Sequence, residues 1–360
     1  ASTGQLEAYE LRDKNDQRYG GLGVQDAVKN SEEVLKILKG VSSEDQSMID
    51  GKLIELDATE NKSKLGANAI LSVSLACARA ASNSMSISLY EYLNIMYKGI
   101  SNKNSTMSLP VPMLNIMNGG CHANNNVDIQ EFMIIPSNKF NFKDGLMKSV
   151  EVYTNLKSLL KEKGLSVSVG DEGGFAPNLK TSEEVLDLII LSIERAGLIY
   201  LDDMSIALDC AASELFSEDS YKLTGENKKF SSDEMVFYMQ ALVDKYEIKS
   251  VEDPFDEKDW DAWKTFTKNN NDLQIVGDDI FVTQEKILRK GIDSKVANSI
   301  LVKLNQVGTL SETMQAISLA KNNGYETIIS HRSGETEDSF IADLAVAVDA
   351  GQIKTCLLYT

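Results

Sequence analysis

The chain has 360 residues, 42% of them hydrophobic, and carries a formal net charge of −18. The length exceeds one ordinary core and points to two domains, one of them a barrel of around 250 residues. The acidic balance excludes sequence-independent nucleic-acid binding, which needs a basic face, and means that an anionic ligand requires local cations or a metal.

Residues 1–108 read as α-rich. The chain opens on "ASTGQLEAYELRD", without Met and as if in mid-loop, and stops at "CLLYT" with no capped element, so a fragment is expected. "YGGLGV" (Tyr19 to Val24) is a Gly-rich turn ahead of a helix at Gln25. In "NKSKLGANAILSVSLACARAAS" the apolar or small residues Leu65, Ala69, Val73, Cys77 and Ala80 make a helical stripe, and "SISLYEYLNIMYKG" reads as another helix. Two prolines and an extended apolar segment in "LPVPMLNIMNGG" place a boundary at about Met107 to Leu109, giving domains 1–108 and 109–360.

After that boundary, short apolar runs end in charged residues and helical stretches follow. "VPMLNIMNG" and "EFMIIPS" supply two strands. Six more lie in "SIALDCAASE", "IKSVEDPFDE", "LQIVGDDIF", "SILVKLNQVG", "TIISHRSGETED" and "QIKTC". The outward-pointing charges Asp209, Glu252, Asp278, Lys303, His331 and Lys354 are spaced by 43, 26, 25, 28 and 23 residues, mostly near the unit of roughly 30 residues expected of a (β/α)8 barrel. Strand–helix alternation predicts parallel βα units. A doubly wound sheet is the alternative, and it is disfavoured because no GxGxxG opens the first unit. Between the second and third strands lies "VGDEGGFAPN", whose glycines and proline oppose a helix. It reads as a loop that holds a carboxylate where backbone passes close by, or as a solvated turn.

A barrel gathers the C-terminal ends of its strands around one mouth. Asp209, Glu252 and Asp278 would then converge, and three carboxylates repel unless a cation lies between them. Taken singly each is a strand-end charge or helix cap. As a periodic trio of oxygen ligands they suit Mg²⁺ rather than Zn²⁺, and no HExxH or Cys/His set competes. Lys303 interrupts an apolar strand, where it costs free energy unless paired. A structural salt bridge is one explanation. A base whose pKa falls beside a metal and a second cation such as Lys354 is the other. His331, Arg332 and Ser333, ahead of a glycine, make a grip for phosphate or carboxylate, and equally a helix N-terminus complemented by Glu337 and Asp338. His122 lies in "NGGCHANNNVD", a polar loop after a strand, where a lone histidine is more often structural. No apolar run reaches membrane-spanning length and no signal peptide is visible. The scattered Cys77, Cys121, Cys210 and Cys356 fit a reducing cytoplasm.

Nine stretches in one order, "LGANAILSVSLA", "NGGCHANNNVDIQEF", "GDEGGFAPN", "ALDCAASE", "VEDPFDE", "VGDDIFVT", "KLNQVGTL", "SHRSGETED" and "GQIKT", resemble the enolase family, in its bacterial type, over nearly the whole chain. The resemblance implies an enolase-type (β/α)8 barrel preceded by a smaller α+β capping domain, and Mg²⁺-dependent, reversible dehydration of 2-phospho-D-glycerate to phosphoenolpyruvate. It implies Lys303 as the base at C2 and Glu172 as the acid that helps the 3-hydroxyl leave. His122 and Glu131 would lie near that acid. Arg332 and Ser333, with His331, would grip the phosphate, and Lys354 the substrate carboxylate. Asp209, Glu252 and Asp278 would hold a first Mg²⁺ and Ser2 a second. A homodimer or higher homo-oligomer is expected, and a surface-displayed binding protein of the same family is the alternative function. At the ends, the family's first strands and last helix are absent, from which low solubility or activity of the chain alone is expected.

Overall fold

The computed structural model describes residues 4–14, 17–101, 106–333 and 336–356. Before Val111 the described residues form helices and loops without a strand: α1 (Gln25–Ile37), α2 (Gln46–Asp57), α3 (Ala67–Met85) and α4 (Leu89–Ser101). Each presents one apolar face. Val34 of α1, Ile49 and Leu53 of α2, and Ile70 and Val73 of α3 close into a small core. The expected stripe on α3 drifts. Leu65, Ala69 and Val73 are buried, but Ala80 is exposed and Ala78 and Ala81 are buried in its place. The buried face changes with the neighbour along the helix: Ile70 and Val73 join the small core, whereas Ala78 and Ala81 join the main core with Tyr92 and Leu93 of α4.

The rest of the chain closes on itself. In order it comprises β1 (Val111–Asn118), β2 (Glu131–Pro136), α5 (Phe142–Glu162), α6 (Ser182–Arg195) and β3 (Met204–Asp209). A small antiparallel sheet follows, β4 (Phe216–Ser217), β5 (Ser220–Leu223) and β6 (Lys228–Phe230). Then come α7 (Ser232–Tyr246), β7 (Ser250–Glu252), α8 (Trp260–Asn269), β8 (Gln274–Gly277), α9 (Glu285–Ser294) and β9 (Ser299–Val302). The last elements are α10 (Leu304–Val307), α11 (Leu310–Asn322), β10 (Glu326–Ser330), α12 (Phe340–Ala347) and β11 (Gly351–Cys356). Eight strands form a closed barrel in the order β1-β11-β10-β9-β8-β7-β3-β2, and all eight fall on the apolar runs identified above. Met113, Met133, Ala207, Val276, Leu301 and Ile328 form a compact apolar cluster contributed by six of those strands. This is how a barrel of this size becomes a packed core rather than a pore.

One expectation fails. The barrel is not a uniform series of parallel βα units, because β2 runs antiparallel to both β1 and β3. The connection from β1 to β2 holds only a short 3-10 turn (Gly120–His122), too little for the crossover a parallel strand needs, while two helices, α5 and α6, separate β2 from β3.

The helical N-terminal part is fastened to the barrel by buried polar groups. Asp50 of α2 accepts the backbone N–H of Ser311, in the first turn of α11, at 2.9 Å, and the side-chain amide of Gln46 at 3.0 Å. A carboxylate at a helix N-terminus satisfies an orphan donor and complements the dipole. Burial, opposed by bonds from Ser311, Ser74 and Gln46, raises the Asp50 pKa. Asp50→Ala is expected to cost about 1–3 kcal/mol, because the buried Ser311 N–H loses its acceptor and Gln46 keeps only Ser74. Thermal denaturation checks this, and an unchanged midpoint would remove Asp50 from the account. No helix among the described residues is long and apolar enough to cross a membrane.

Candidate active site

The barrel carries its charged side chains to one mouth. Asp209 and Glu252 are the last residues of β3 and β7, and Asp278 follows β8 directly. Lys303 follows β9 and so caps the strand rather than interrupting it; it is the residue ahead of α10. His331 and Arg332 follow β10, and Lys354 lies within β11. The reversal of β2 brings its first residue to the same end, so that Glu131 stands opposite Asp209 in the ladder. His122, Glu131, Glu172, Asp209, Lys303, His331, Arg332, Ser333 and Lys354 line a single pocket, together with Gln130. Glu252 and Asp278 are not part of that lining; they are joined to it through the two lysines. Ser2 lies outside the described residues.

Lys354 is 2% exposed and donates to Asp209 Oδ2 at 2.9 Å and Glu252 Oε2 at 2.8 Å, with Glu131 Oε1 at 3.3 Å. One ammonium thus serves three carboxylates, and the groups respond unequally. For Asp209 burial pushes the pKa up, but Lys354 outweighs it and holds it down at about 2. For Glu252 burial, then repulsion from Asp209, pushes it well up, and for Glu131 burial and the neighbouring Glu172 do the same. Burial opposes the charge on Lys354, yet its three acids raise its pKa well above the ordinary lysine value.

Lys303 is bonded to Asp278 Oδ2. Burial is the largest influence and lowers its pKa, but Asp278 and then Glu252 together turn it upward. The fall expected for Lys303 beside a metal and Lys354 concerns a metal-loaded site; here Arg332 and Lys354 lower its pKa without reversing the rise. Around this pair stand residues that sequence reasoning missed. Gln306 is fully buried; its amide donates to Asp278 Oδ1 at 2.8 Å and Glu7 Oε1 at 3.3 Å, and accepts from Thr283 at 2.6 Å. Thr283 also accepts the backbone N–H of Lys303 at 3.0 Å. Glu7 takes the Arg332 guanidinium at 3.1 and 3.2 Å, so the N-terminal segment is tied into the mouth. Asp253 receives the backbone N–H groups of Asp278 and Asp279 at 3.0 and 2.8 Å, which fixes that turn. The signals were present as a glutamine three residues after Lys303 and an acid beside each of Glu252 and Asp278, but such neighbours are common and carry no spacing that singles them out.

The "VGDEGGFAPN" loop joins α5 to α6 and lies against the end of β1. Gly174 N–H donates to Asn118 Oδ1 at 2.9 Å, Phe175 N–H to Ile116 O at 2.9 Å, and Asp171 N–H to His122 O at 2.9 Å. A side chain at Gly174 would meet Met117 backbone at 2.8 Å, and one at Gly170 would meet His122 O at 2.5 Å. The glycines are needed for this close approach, which delivers Glu172 into the pocket at 5% exposure while Asp171 points to solvent. His122 Nδ1 lies 3.6 Å from Glu131 Oε1 and 3.6 Å from Glu172 Oε2, and His331 Nε2 lies 3.6 Å from Glu172 Oε2. Burial lowers the His122 pKa, so its ring is held neutral despite the acids around it. Oxygens of Glu131, Glu172, Glu252 and Ser333 are buried without a hydrogen-bond partner, which is the condition of a polar site shaped for a ligand.

Buried acids interleaved with two lysines and an arginine at the mouth of a closed α/β barrel define a barrel enzyme of acid–base chemistry. Two family models match: "Enolase, N-terminal domain" over residues 1–93 and "Enolase, C-terminal TIM barrel domain" over residues 106–358. An enolase of Legionella pneumophila (strain Corby) is 55% identical over 99% of this chain and 83% of its own length. One from strain Paris is 54% identical over the same shares. The chain belongs to the enolase family, and it is a lyase that removes water reversibly from 2-phospho-D-glycerate in glycolysis. The family implies Mg²⁺, and two acidic groups, His122–Glu131–Glu172 and Asp253–Asp278–Asp279, bring ligand atoms within 4.8 Å of one another.

Proposed function

We propose that Lys303 takes the C2 proton of 2-phosphoglycerate and that Glu172 protonates the departing 3-hydroxyl. The observation that carries this division is that the two side chains enter one pocket from unrelated elements, Lys303 from the end of β9 and Glu172 from the α5–α6 loop. Arg332 and Ser333, with His331, bind the phosphate, and Lys354 pairs with the carboxylate. His122 and Glu131 set the environment of the acid. Formation of phosphoenolpyruvate, followed by its absorbance with and without Mg²⁺, tests the reaction as a whole. A chain that formed none with Mg²⁺ present would sink the reading.

Asp209, Glu252 and Asp278 would hold one Mg²⁺ and Ser2 would contribute to a second. The fit rests on the donors, which are oxygens only, as a hard cation prefers, and on Glu252 Oε1, buried and without a partner. Bound there, the ions supply positive charge to the carboxylate on which negative charge grows as the C2 proton leaves. That a lysine or histidine base works with one or two Mg²⁺ is the known pattern of the enolase superfamily rather than a deduction from spacing. For the base itself, Asp278 matters in another way. Among its neighbours it is the group that raises the Lys303 pKa most, so any cation competing for Asp278 lowers that pKa toward the range of a working base. Asp278→Asn is accordingly expected to weaken Mg²⁺ binding about tenfold or more and to raise KM alongside. An unchanged magnesium titration by calorimetry would refute the assigned ligand set. We place the enzyme in the cytoplasm, as a homodimer or higher homo-oligomer, on the strength of its family and of four cysteines scattered through the sequence without a CxxC.

A further inference from the structure

The pocket at the barrel mouth is lined by three long cationic side chains, Lys303, Arg332 and Lys354, and each already has an acid beside it. Lys354 has Asp209, Glu252 and Glu131, and Lys303 has Asp278. Asp209, Glu252 and Asp278 belong to the magnesium ligand set proposed above, so a bound ion draws those acids away from the lysines. Arg332 differs. One nitrogen of its guanidinium lies 3.1 and 3.2 Å from the two carboxylate oxygens of Glu7, and Glu7 is no member of that set.

Glu7 is also held independently of Arg332. Its Oε1 accepts the backbone N–H of Gly4 at 3.3 Å and the side-chain amide of Gln306 at 3.3 Å. The next residue, Ala8, donates its N–H to the carbonyl of Gln306 at 2.8 Å. The side chains of Arg332 and Glu7 are 17% and 11% exposed. Water and salt screen such a pair little, so an anion arriving at Arg332 meets the charge of Glu7 at close range. Beside Arg332 the Ser333 hydroxyl is buried without a hydrogen-bond partner, which marks where that anion is received.

We propose that Glu7 is a resident counter-ion of Arg332, which acts through the guanidinium to keep the affinity of the mouth for a phosphate dianion low, so that phosphate by itself does not fill the pocket. This rests on the phosphate grip proposed above. Loading with Mg²⁺ relieves the lysines of their acids and leaves the Arg332–Glu7 pair in place, so the penalty persists in the working enzyme. A ligand that also brings a carboxylate to Lys354 gains enough to bind against it. Substrate and product carry the same phosphate and bear the penalty alike. Glu7 therefore raises KM and loosens the hold on product without altering the chemical step.

The test uses the full chain at saturating Mg²⁺ with inorganic phosphate as the probe. Its inhibition of phosphoenolpyruvate formation is measured beside its binding by calorimetry. In Glu7→Gln, phosphate is expected to bind at least about fivefold more tightly than in the parent, with KM for 2-phosphoglycerate falling in the same direction and kcat not rising. A residue that merely supported Arg332 would give the opposite sign, since its loss would weaken both. Glu10→Gln makes the same charge change on an exposed acid paired with Arg12, and should leave both constants within about twofold. Arg332→Met should lose phosphate binding. If it does, and Glu7→Gln binds phosphate no more tightly than the parent, the counter-ion is overturned and the phosphate grip stands. Phosphate binding that survives Arg332→Met overturns both. Should Glu7→Gln fail to fold, Glu7→Asp keeps the charge but shortens its reach and is expected to bind phosphate about twofold more tightly. Equal or weaker binding there would overturn the proposal as well.

Discussion

Lys303→Ala is expected to abolish exchange of the C2 proton of 2-phosphoglycerate with solvent, while Glu172→Gln keeps measurable exchange and loses dehydration. A positioned base or acid contributes about 10²- to 10⁴-fold, so each variant should lose at least two orders of magnitude in turnover. The two differ because they act on different atoms. Lys303 comes from the strand end beside Asp278, and Glu172 from a loop threaded against β1 through Gly170 and Gly174. Isotope exchange into recovered substrate separates the two steps, and substrate affinity measured alongside guards against misfolding. If both variants lost exchange equally while still binding substrate, the division of labour would be wrong.

The strands and the residues at their ends were legible in the sequence because a barrel repeats. Each apolar run ends in a charge, and the repeat forces those charges to one mouth. Glu172 was legible for a different reason, since paired glycines beside an acid leave few structures open. What the repeat could not show is where it breaks. Nothing local in "EFMIIPS" marks β2 as antiparallel; its direction follows from the short link to β1, and that reversal is what places Glu131 at the site. Gln306, Thr283 and Glu7 escaped because their role is made by contacts across 20 to 325 residues of chain. Glu7 is near one end of the sequence and Arg332 near the other. The pKa of Lys303 could not be read either, since burial lowers it and acids distant in the sequence, Asp278 and then Glu252, together turn it upward.

Lys354→Met is expected to destabilise the fold by about 3–5 kcal/mol, a larger effect than any surface substitution, because it strands buried acids that a single ammonium now serves. The side chain is of similar length and apolar, so packing is largely kept and the loss is electrostatic. Asp209, Glu252 and Glu131 would face one another at 5% exposure or less, and two of them are already pushed toward the protonated form. The pH dependence follows in sign. In the parent, Asp209 is held at about 2, below the ordinary aspartate value of 3.8. It therefore contributes stability above that ordinary value, lost as pH falls toward 2. In the variant, carboxyls whose folded pKa lies above the unfolded one are most compatible with folding when protonated, and their cost grows as pH rises. The gap between parent and variant should thus be narrow near pH 5 and widen toward pH 8. Added Mg²⁺ should narrow it again at pH 8, since a cation that binds the folded acids favours the fold by mass action. Denaturant melts at the two pH values, with and without Mg²⁺, measure all three terms. A difference that stayed flat with pH would show that Lys354 acts by filling space and that the three acids do not depend on its charge.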